Sequence, residues 1–233
     1  MVKIPNLDEM LKAGMHFGHK TSKWHPKMEP FIFGAKNGIH IINLAKSQKM
    51  LEEALAYISK LAEEQKIILF VGTKNQVKKP LKEMAKENNM AYVSERWLGG
   101  TLTNFPIIRQ LIKKYKDLNE KMQAGKLERY TKKERLEFER EIERLEKRVG
   151  GMVNMNKIPD AVFIWDIKKE KTALTESLKK NVPIIAICDT NVNPAGIKYV
   201  IPSNDDATKA IKLLVGLIGE AVQEGRAKAK KQN

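Results

Sequence analysis

The sequence predicts an α/β protein: a doubly wound, mostly parallel sheet interrupted by an inserted antiparallel helical hairpin. Two observations carry this. Short, wholly apolar runs alternate with amphipathic stretches, as in βαβ units whose strands are covered on both faces. Between them lies a long polar region with a narrow apolar seam of coiled-coil spacing.

Near the start, Phe31-Ile32-Phe33 and Ile39-His40-Ile41-Ile42 flank Gly34-Ala35-Lys36-Asn37-Gly38. An Asn-Gly pair between apolar runs predicts a hairpin, because both residues tolerate positive φ. A helix is expected from about Ser47 to Glu64, with Leu51, Leu55, Ile58 and Leu61 on one face. The run 67–71 predicts a strand and 77–87 a helix. A shorter strand is expected at 91–93. The run 160–166 precedes a helix at 169–180, and 183–187 and 199–201 complete the strands. A helix from Asp206 to about Glu224 closes the domain.

Between Pro106 and Val149, the apolar positions Ile108, Leu111, Tyr115, Leu118 and Met122 step by threes and fours. Phe138, Ile142, Leu145 and Val149 do the same after a break at Gly125. Thr131 and Glu134 form a capping-box pattern, and Gly150-Gly151 ends the second helix. The seam is too narrow for a helix packed wholly on a sheet, so a projecting arm is expected. About 18 residues per helix give it a length of roughly 27 Å. The expected division is 1–104 with 151–225 as the globular domain, 105–150 as the coiled-coil hairpin, and 226–233 as a basic flexible tail.

The chain of 233 residues carries 43 basic against 28 acidic side chains, a formal charge of +15. Lys and Glu laced over a thermophile's surface would explain many charges but not this excess, which fits a polyanionic partner. The single cysteine, Cys188, lies in an apolar run, so neither a disulfide framework nor a thiolate zinc site is expected. The start is polar and no apolar run approaches a membrane span, so a cytoplasmic protein without a membrane partner is expected.

Candidate chemistry is sparse. Gly72-Thr73-Lys74-Asn75 follows a strand but matches neither phosphate-binding fingerprint. The stretch Leu98-Gly99-Gly100-Thr101-Leu102-Thr103-Asn104 could offer backbone N–H groups to a phosphate, or could be a tight loop joining core to arm. His19, Asp189 and Asp205 suggest a structural divalent ion, with helix-capping and loop carboxylates as the alternative. No cofactor is required, and no catalytic residue or small-molecule substrate is expected. For RNA, Lys20, Lys23, Trp24, His25 and Lys27 cluster in a loop-like stretch, and Arg96 precedes the glycine loop. Lys74, Thr101 and Asn104 join them. On the arm, Arg109, Lys113 and Lys114 lie in the first helix, with Lys132 and Lys133 opening the second. Arg pairs bidentately with phosphate, and exposed rings stack on unpaired bases. Trp97 reads better as a loop anchor.

Several stretches resemble the bacterial small-subunit ribosomal protein S2 family. They are Leu11-Lys12-Ala13-Gly14-Met15-His16-Phe17-Gly18-His19, Pro30-Phe31-Ile32-Phe33-Gly34, His40-Ile41-Ile42-Asn43-Leu44 and Leu69-Phe70-Val71-Gly72-Thr73-Lys74. Arg96-Trp97-Leu98-Gly99-Gly100, Leu102-Thr103-Asn104, Pro159-Asp160-Ala161, Ile187-Cys188-Asp189-Thr190-Asn191 and Ile201-Pro202-Ser203-Asn204-Asp205-Asp206-Ala207 continue the match in order. The resemblance implies a flavodoxin- or Rossmann-like domain with a coiled-coil arm, without catalysis. It implies contact with small-subunit ribosomal RNA, docking of the mRNA-binding ribosomal protein S1, and a ribosome-bound location. A nucleotide-dependent enzyme on the same fold and a free RNA chaperone are the competing expectations.

Overall fold

The computed structural model describes residues 2–232, with side chains through Lys230; Met1 and Asn233 lie outside the described residues. Its centre is a five-stranded sheet made of β4 (Ile68–Val71), β5 (Ala91–Val93), β6 (Ala161–Trp165), β7 (Ile184–Cys188) and β8 (Tyr199–Pro202). The spatial order is β5-β4-β6-β7-β8, and all four ladders are parallel. Counted within this sheet alone the order is 2-1-3-4-5, the flavodoxin-like doubly wound arrangement, in which ligands gather at the carboxyl ends of the strands.

The apolar runs are continuous because each strand feeds two cores. Phe70, Phe163, Trp165, Ile185 and Ile187 pack on one face with helices α1 (Leu7–Ala13), α2 (Leu44–Glu63), α3 (Asn75–Glu87) and α7 (Thr208–Gln232). Leu69, Val71, Val162, Ile164, Ala186 and Cys188 face the other way. There they meet α6 (Lys171–Lys179), the first turns of α4 (Phe105–Gln123) and the last turns of α5 (Lys132–Val149). This period-two split is the signature of a strand buried on both sides.

A second, antiparallel sheet of order β1-β3-β2 sits near the amino terminus, built from β1 (Phe17–Lys20), β2 (Ile32–Lys36) and β3 (Ile39–Ile42). The expected turn is present, with Asn37 and Gly38 both at positive φ, 52° and 75°. β1 was not expected.

Along α4 and α5 burial falls with distance from the sheet. Ile108, Ile112, Leu145 and Val149 are buried, whereas Met122 and Leu136 are exposed. Lys114 Nζ lies 2.7 Å from Glu141 Oε1, which ties the two helices together. The capping box at Thr131 and Glu134 is formed on both sides.

One boundary needs correction. The tail expected to be flexible from 226 continues α7 as helix to Gln232. Packing holds it there. A Cβ on Gly225 would sit 2.1 Å from Ser59 O, Ala229 is buried, and the Arg226 guanidinium reaches Asn89 O at 3.4 Å. Glu224 and Lys228 add a pair at 2.8 Å one turn apart.

Candidate nucleic-acid interface

The basic segment after β1 is short-range structure pinned to the main sheet. Lys20 ends β1, a 3-10 turn covers Thr21–Lys23, and His25 caps a second covering Pro26–Phe31 by accepting from Lys27 N at 3.2 Å. Three bonds anchor the segment to the end of β7. His19 N donates to Thr190 Oγ1 at 2.9 Å, His25 N donates to Thr190 O at 2.8 Å, and His19 Nδ1 lies 3.0 Å from Asp189 Oδ2. Gly18 permits this approach, since a Cβ there would stand 2.6 Å from the Thr190 side chain. The Asp189 hydrogen bond, opposed by burial and helped by its charge, raises the His19 pKa. Lys20, Lys23 and Lys27 remain exposed, while the half-exposed Trp24 ring leans on His40 at 5.3 Å.

At the carboxyl edge, where this fold class holds its ligands, the protein fills the crevice with itself. Lys74 Nζ lies 2.7 Å from Asp206, 3.0 Å from Asp205 and 3.4 Å from Asp166. Burial works against its charge, but the Asp206 and Asp205 carboxylates outweigh that and hold its pKa above the ordinary lysine value. Burial pushes Asp205 up to about 7, with Asp166 adding to the shift and Lys74 opposing it. Lys74, expected to meet RNA, is thus turned inward because three carboxylates claim its ammonium. His19 and Asp189 do meet, whereas Asp205 is engaged by Lys74. Among the described residues no group of three His, Cys, Asp or Glu side chains converges to hold a metal ion.

The loop after β4 is likewise occupied. Glu170 Oε1 accepts from Thr73 N at 3.0 Å and from the Thr73 hydroxyl, and Lys169 Nζ reaches Thr73 O at 3.0 Å. A nucleotide phosphate entering there would meet a buried carboxylate, which argues against the nucleotide-enzyme expectation.

The glycine loop resolves in favour of the tight-loop reading. Glu176 Oε1 accepts from Trp97 Nε1 at 3.1 Å and Gly100 N at 2.7 Å. Its Oε2 accepts from Leu102 N at 2.9 Å and from Thr103 N and Oγ1, both at 3.1 Å. The N–H groups that could have bound phosphate are therefore spent on an internal carboxylate. Burial alone would raise the Glu176 pKa, but the Trp97 indole and the loop N–H groups overcome it and lower the pKa. Thr101, expected at the RNA surface, is fully buried with its hydroxyl on Leu98 O at 2.6 Å. Arg96 and Asn104 stay exposed, and Trp97 is the anchor it was expected to be. Sequence reasoning missed Glu176. Its one signal was a carboxylate on the buried stripe of α6 beside Ala173 and Ser177.

On α4, Arg109, Lys113 and Lys116 recur at helical spacing along a groove of about 920 Å³, with Asn154 and Asn156 among its other lining residues. None of these three cations makes an ion pair among the described residues, whereas Lys114 is committed to Glu141. Arg144 and Lys114 together hold Glu141 at about 2. Lys132 and Lys133 are exposed in the first turn of α5, where the helix dipole disfavours cations.

The structure thus gathers Lys20, Lys23, Trp24, His25 and Lys27 in one segment and Arg109 and Lys113 in one groove. It turns Lys74 and Thr101 inward. A family model described as ribosomal protein S2 matches residues 10–225, nearly the whole chain and both of these basic regions. With the α/β architecture and its collinear motifs in place, the chain belongs to the ribosomal protein S2 family.

Proposed function

We infer that the protein, as a member of this family, is a structural component of the small ribosomal subunit, of a kind that is in general non-enzymatic and works in translation within a ribonucleoprotein. We propose that it binds small-subunit ribosomal RNA through the exposed cations of the segment 20–27 and of α4 and α5. One observation carries the reading. Lys20, Lys23, Lys27, Arg109, Lys113, Lys116, Lys132 and Lys133 stand exposed and without an ion pair among the described residues of a chain with a formal charge of +15, while the anion-binding places of the fold are closed by the protein's own carboxylates. Such a surface suits a long polyanion better than a small phosphorylated ligand.

In this reading α4 and α5 form the antiparallel coiled-coil arm, inserted between β5 and β6 and reaching away from the sheet. The distal exposure of Met122 and Leu136 supports that role. The protein sits on cytoplasmic ribosomes among neighbouring small-subunit proteins and helps dock ribosomal protein S1. Filter binding of purified protein to small-subunit RNA across a salt series tests the central step. Log affinity is expected to fall linearly with log salt, by about 0.7–0.9 per phosphate contacted. A slope near zero would overturn it.

A further inference from the structure

α7 crosses α2 at close quarters and then runs past its end. A Cβ on Gly225 would stand 2.8 Å from Ala62 Cβ, and α2 stops at Glu63. The chain turns away through Gln65 at a φ of 53°. Gln65 N donates to Ala62 O at 3.2 Å and Lys66 N to Leu61 O at 2.9 Å, which holds the turn against the helix end. Between this turn and the last turns of α7 lies a cavity of about 300 Å³. Ala62, Met90 and Ala229 supply its apolar lining, and Gln65, Lys66, Arg226 and Lys230 its polar lining.

Every charged group of that lining is positive. Arg226 and Lys230 stand one turn apart on α7, about 6 Å along its axis, and Lys66 comes from the turn after α2. None of the three makes an ion pair among the described residues. Nearby acids are engaged elsewhere. Glu64 lies 4.0 Å from Lys60 Nζ, Glu224 2.8 Å from Lys228 Nζ, and Asp160, within the field of Lys66, 3.0 Å from Lys157 Nζ. The half-buried Arg226 has only long contacts among the described residues, Asn89 O at 3.4 Å and Met90 Sδ at 3.8 Å. Burial lowers its pKa with no carboxylate to restore it. The dipole of α7 favours cations in its last turn, which accounts for Lys230. It does not account for Arg226, six residues before the helix end, nor for Lys66 on another element. The turn also carries a choice of residue. Its left-handed position suits Gly or Asn, yet it holds a glutamine whose side chain lines the cavity.

We propose that this cavity binds a phosphoryl group, carried by an RNA chain or by a free phosphorylated small molecule. A phosphate ester brings about two negative charges and three acceptor oxygens, enough for one guanidinium fork and two ammonium groups. A single carboxylate would leave positive charge over. Arg226 is the planar, bidentate partner, and Lys66 and Lys230 act as point charges. Ala62, Met90 and Ala229 offer apolar surface to the body that carries the phosphate, and the Gln65 amide offers a donor and an acceptor. The volume stands at the lower end for small-ligand pockets, so it admits one phosphorylated group and no duplex. The site stands on its own lining and does not depend on the RNA-binding reading.

Two measurements on the full chain test it together: equilibrium dialysis with radiolabelled inorganic pyrophosphate at fixed ionic strength, and filter binding of small-subunit RNA across a salt series. The parent is expected to retain pyrophosphate. Arg226→Gln and Lys66→Gln should each weaken retention by about 10- to 100-fold, the loss of one charge-assisted hydrogen bond. Lys66 is exposed and unpaired, so its variant reads the site even where Arg226→Gln fails to fold. Lys228→Gln removes a charge from the same stretch of α7 but leaves the lining intact, so it should behave as the parent. An RNA salt slope lowered by about 0.7–0.9 in Arg226→Gln and Lys66→Gln, but not in Lys228→Gln, assigns the phosphate to RNA. Loss of pyrophosphate with that slope unchanged, or with no RNA bound by the parent, assigns it to a free phosphorylated molecule. If the parent retains no pyrophosphate and neither lining variant changes the RNA slope, the site is wrong. Equal weakening by Lys228→Gln overturns it in favour of the general positive field of the chain. Competition by a glutamate-rich peptide as strong as by unlabelled pyrophosphate overturns it in favour of an acidic protein segment.

Discussion

Replacing Glu176 with glutamine keeps the volume of the side chain and removes the charge on which the glycine loop closes. The carboxylate accepts at both oxygens: Trp97 Nε1 and Gly100 N at one, Leu102 N, Thr103 N and Thr103 Oγ1 at the other. An amide has one acceptor oxygen. In its better orientation it keeps the Leu102 and Thr103 bonds and turns its NH2 against the Trp97 and Gly100 donors. Each buried donor left without a partner costs about 1–3 kcal/mol, and water reaching the half-exposed Gly100 softens one of them, so about 2–4 kcal/mol is expected in all. For a chain of this length each kcal/mol moves the thermal midpoint by roughly 2–4 °C, which puts the fall on the order of 10 °C. Circular dichroism melting measures it, and Trp97 emission should shift as the indole loses its carboxylate. A fall below about 2 °C would refute the loop-anchor argument. The sign with pH follows from the lowered Glu176 pKa. The carboxylate's contribution is present above its unfolded value and is lost as pH falls through the folded one, so the glutamine variant should lose that part of the acid sensitivity.

The raised pKa of His19 makes the opposite contribution. Stability from the His19–Asp189 pair is full below 6.5 and is lost as pH rises through the folded value, so His19→Ala should flatten the stability profile there, read by urea denaturation. Lys74→Met leaves Asp166, Asp205 and Asp206 without their cation. The expected loss is about 3–5 kcal/mol at alkaline pH, shrinking on acidification below the Asp205 value as that group takes up its proton. The ammonium and a divalent ion held by His19, Asp189 and Asp205 would compete for Asp205, so added Mg²⁺ should raise the melting point of Lys74→Met more than that of the parent. Equal shifts would count against an ion at His19, Asp189 and Asp205. Changing Arg109 and Lys113 together to alanine should lower the RNA salt slope by about 1.4–1.8, two phosphates' worth. Lys114→Ala should change it less, because that ammonium is already paired with Glu141.

Legibility in the sequence tracked how local each cause is. β4, β6 and β7 stand out because a strand covered on both faces must be apolar at every position. The Asn37-Gly38 turn and the Thr131 capping box are written in adjacent residues. β1 was illegible because Phe17-Gly18-His19-Lys20 is largely surface, and its place is set by Thr190, 171 positions away from His19. The extension of α7 was hidden for the same reason: Lys and Arg read as solvated, yet Arg226 and Ala229 pack against the β5 and α2 ends. At the candidate site the exposed cations could be read from composition. The inward turn of Lys74 and Thr101 could not, since it depends on Asp205, Asp206 and Glu176, which only the tertiary fold brings near.

The most direct test of the account is sedimentation of cell extract through sucrose gradients at low and at high salt, with detection of this chain. It should travel with the small subunit at low salt and be released only at high salt. Its presence at the top of the gradient in every condition would contradict the account.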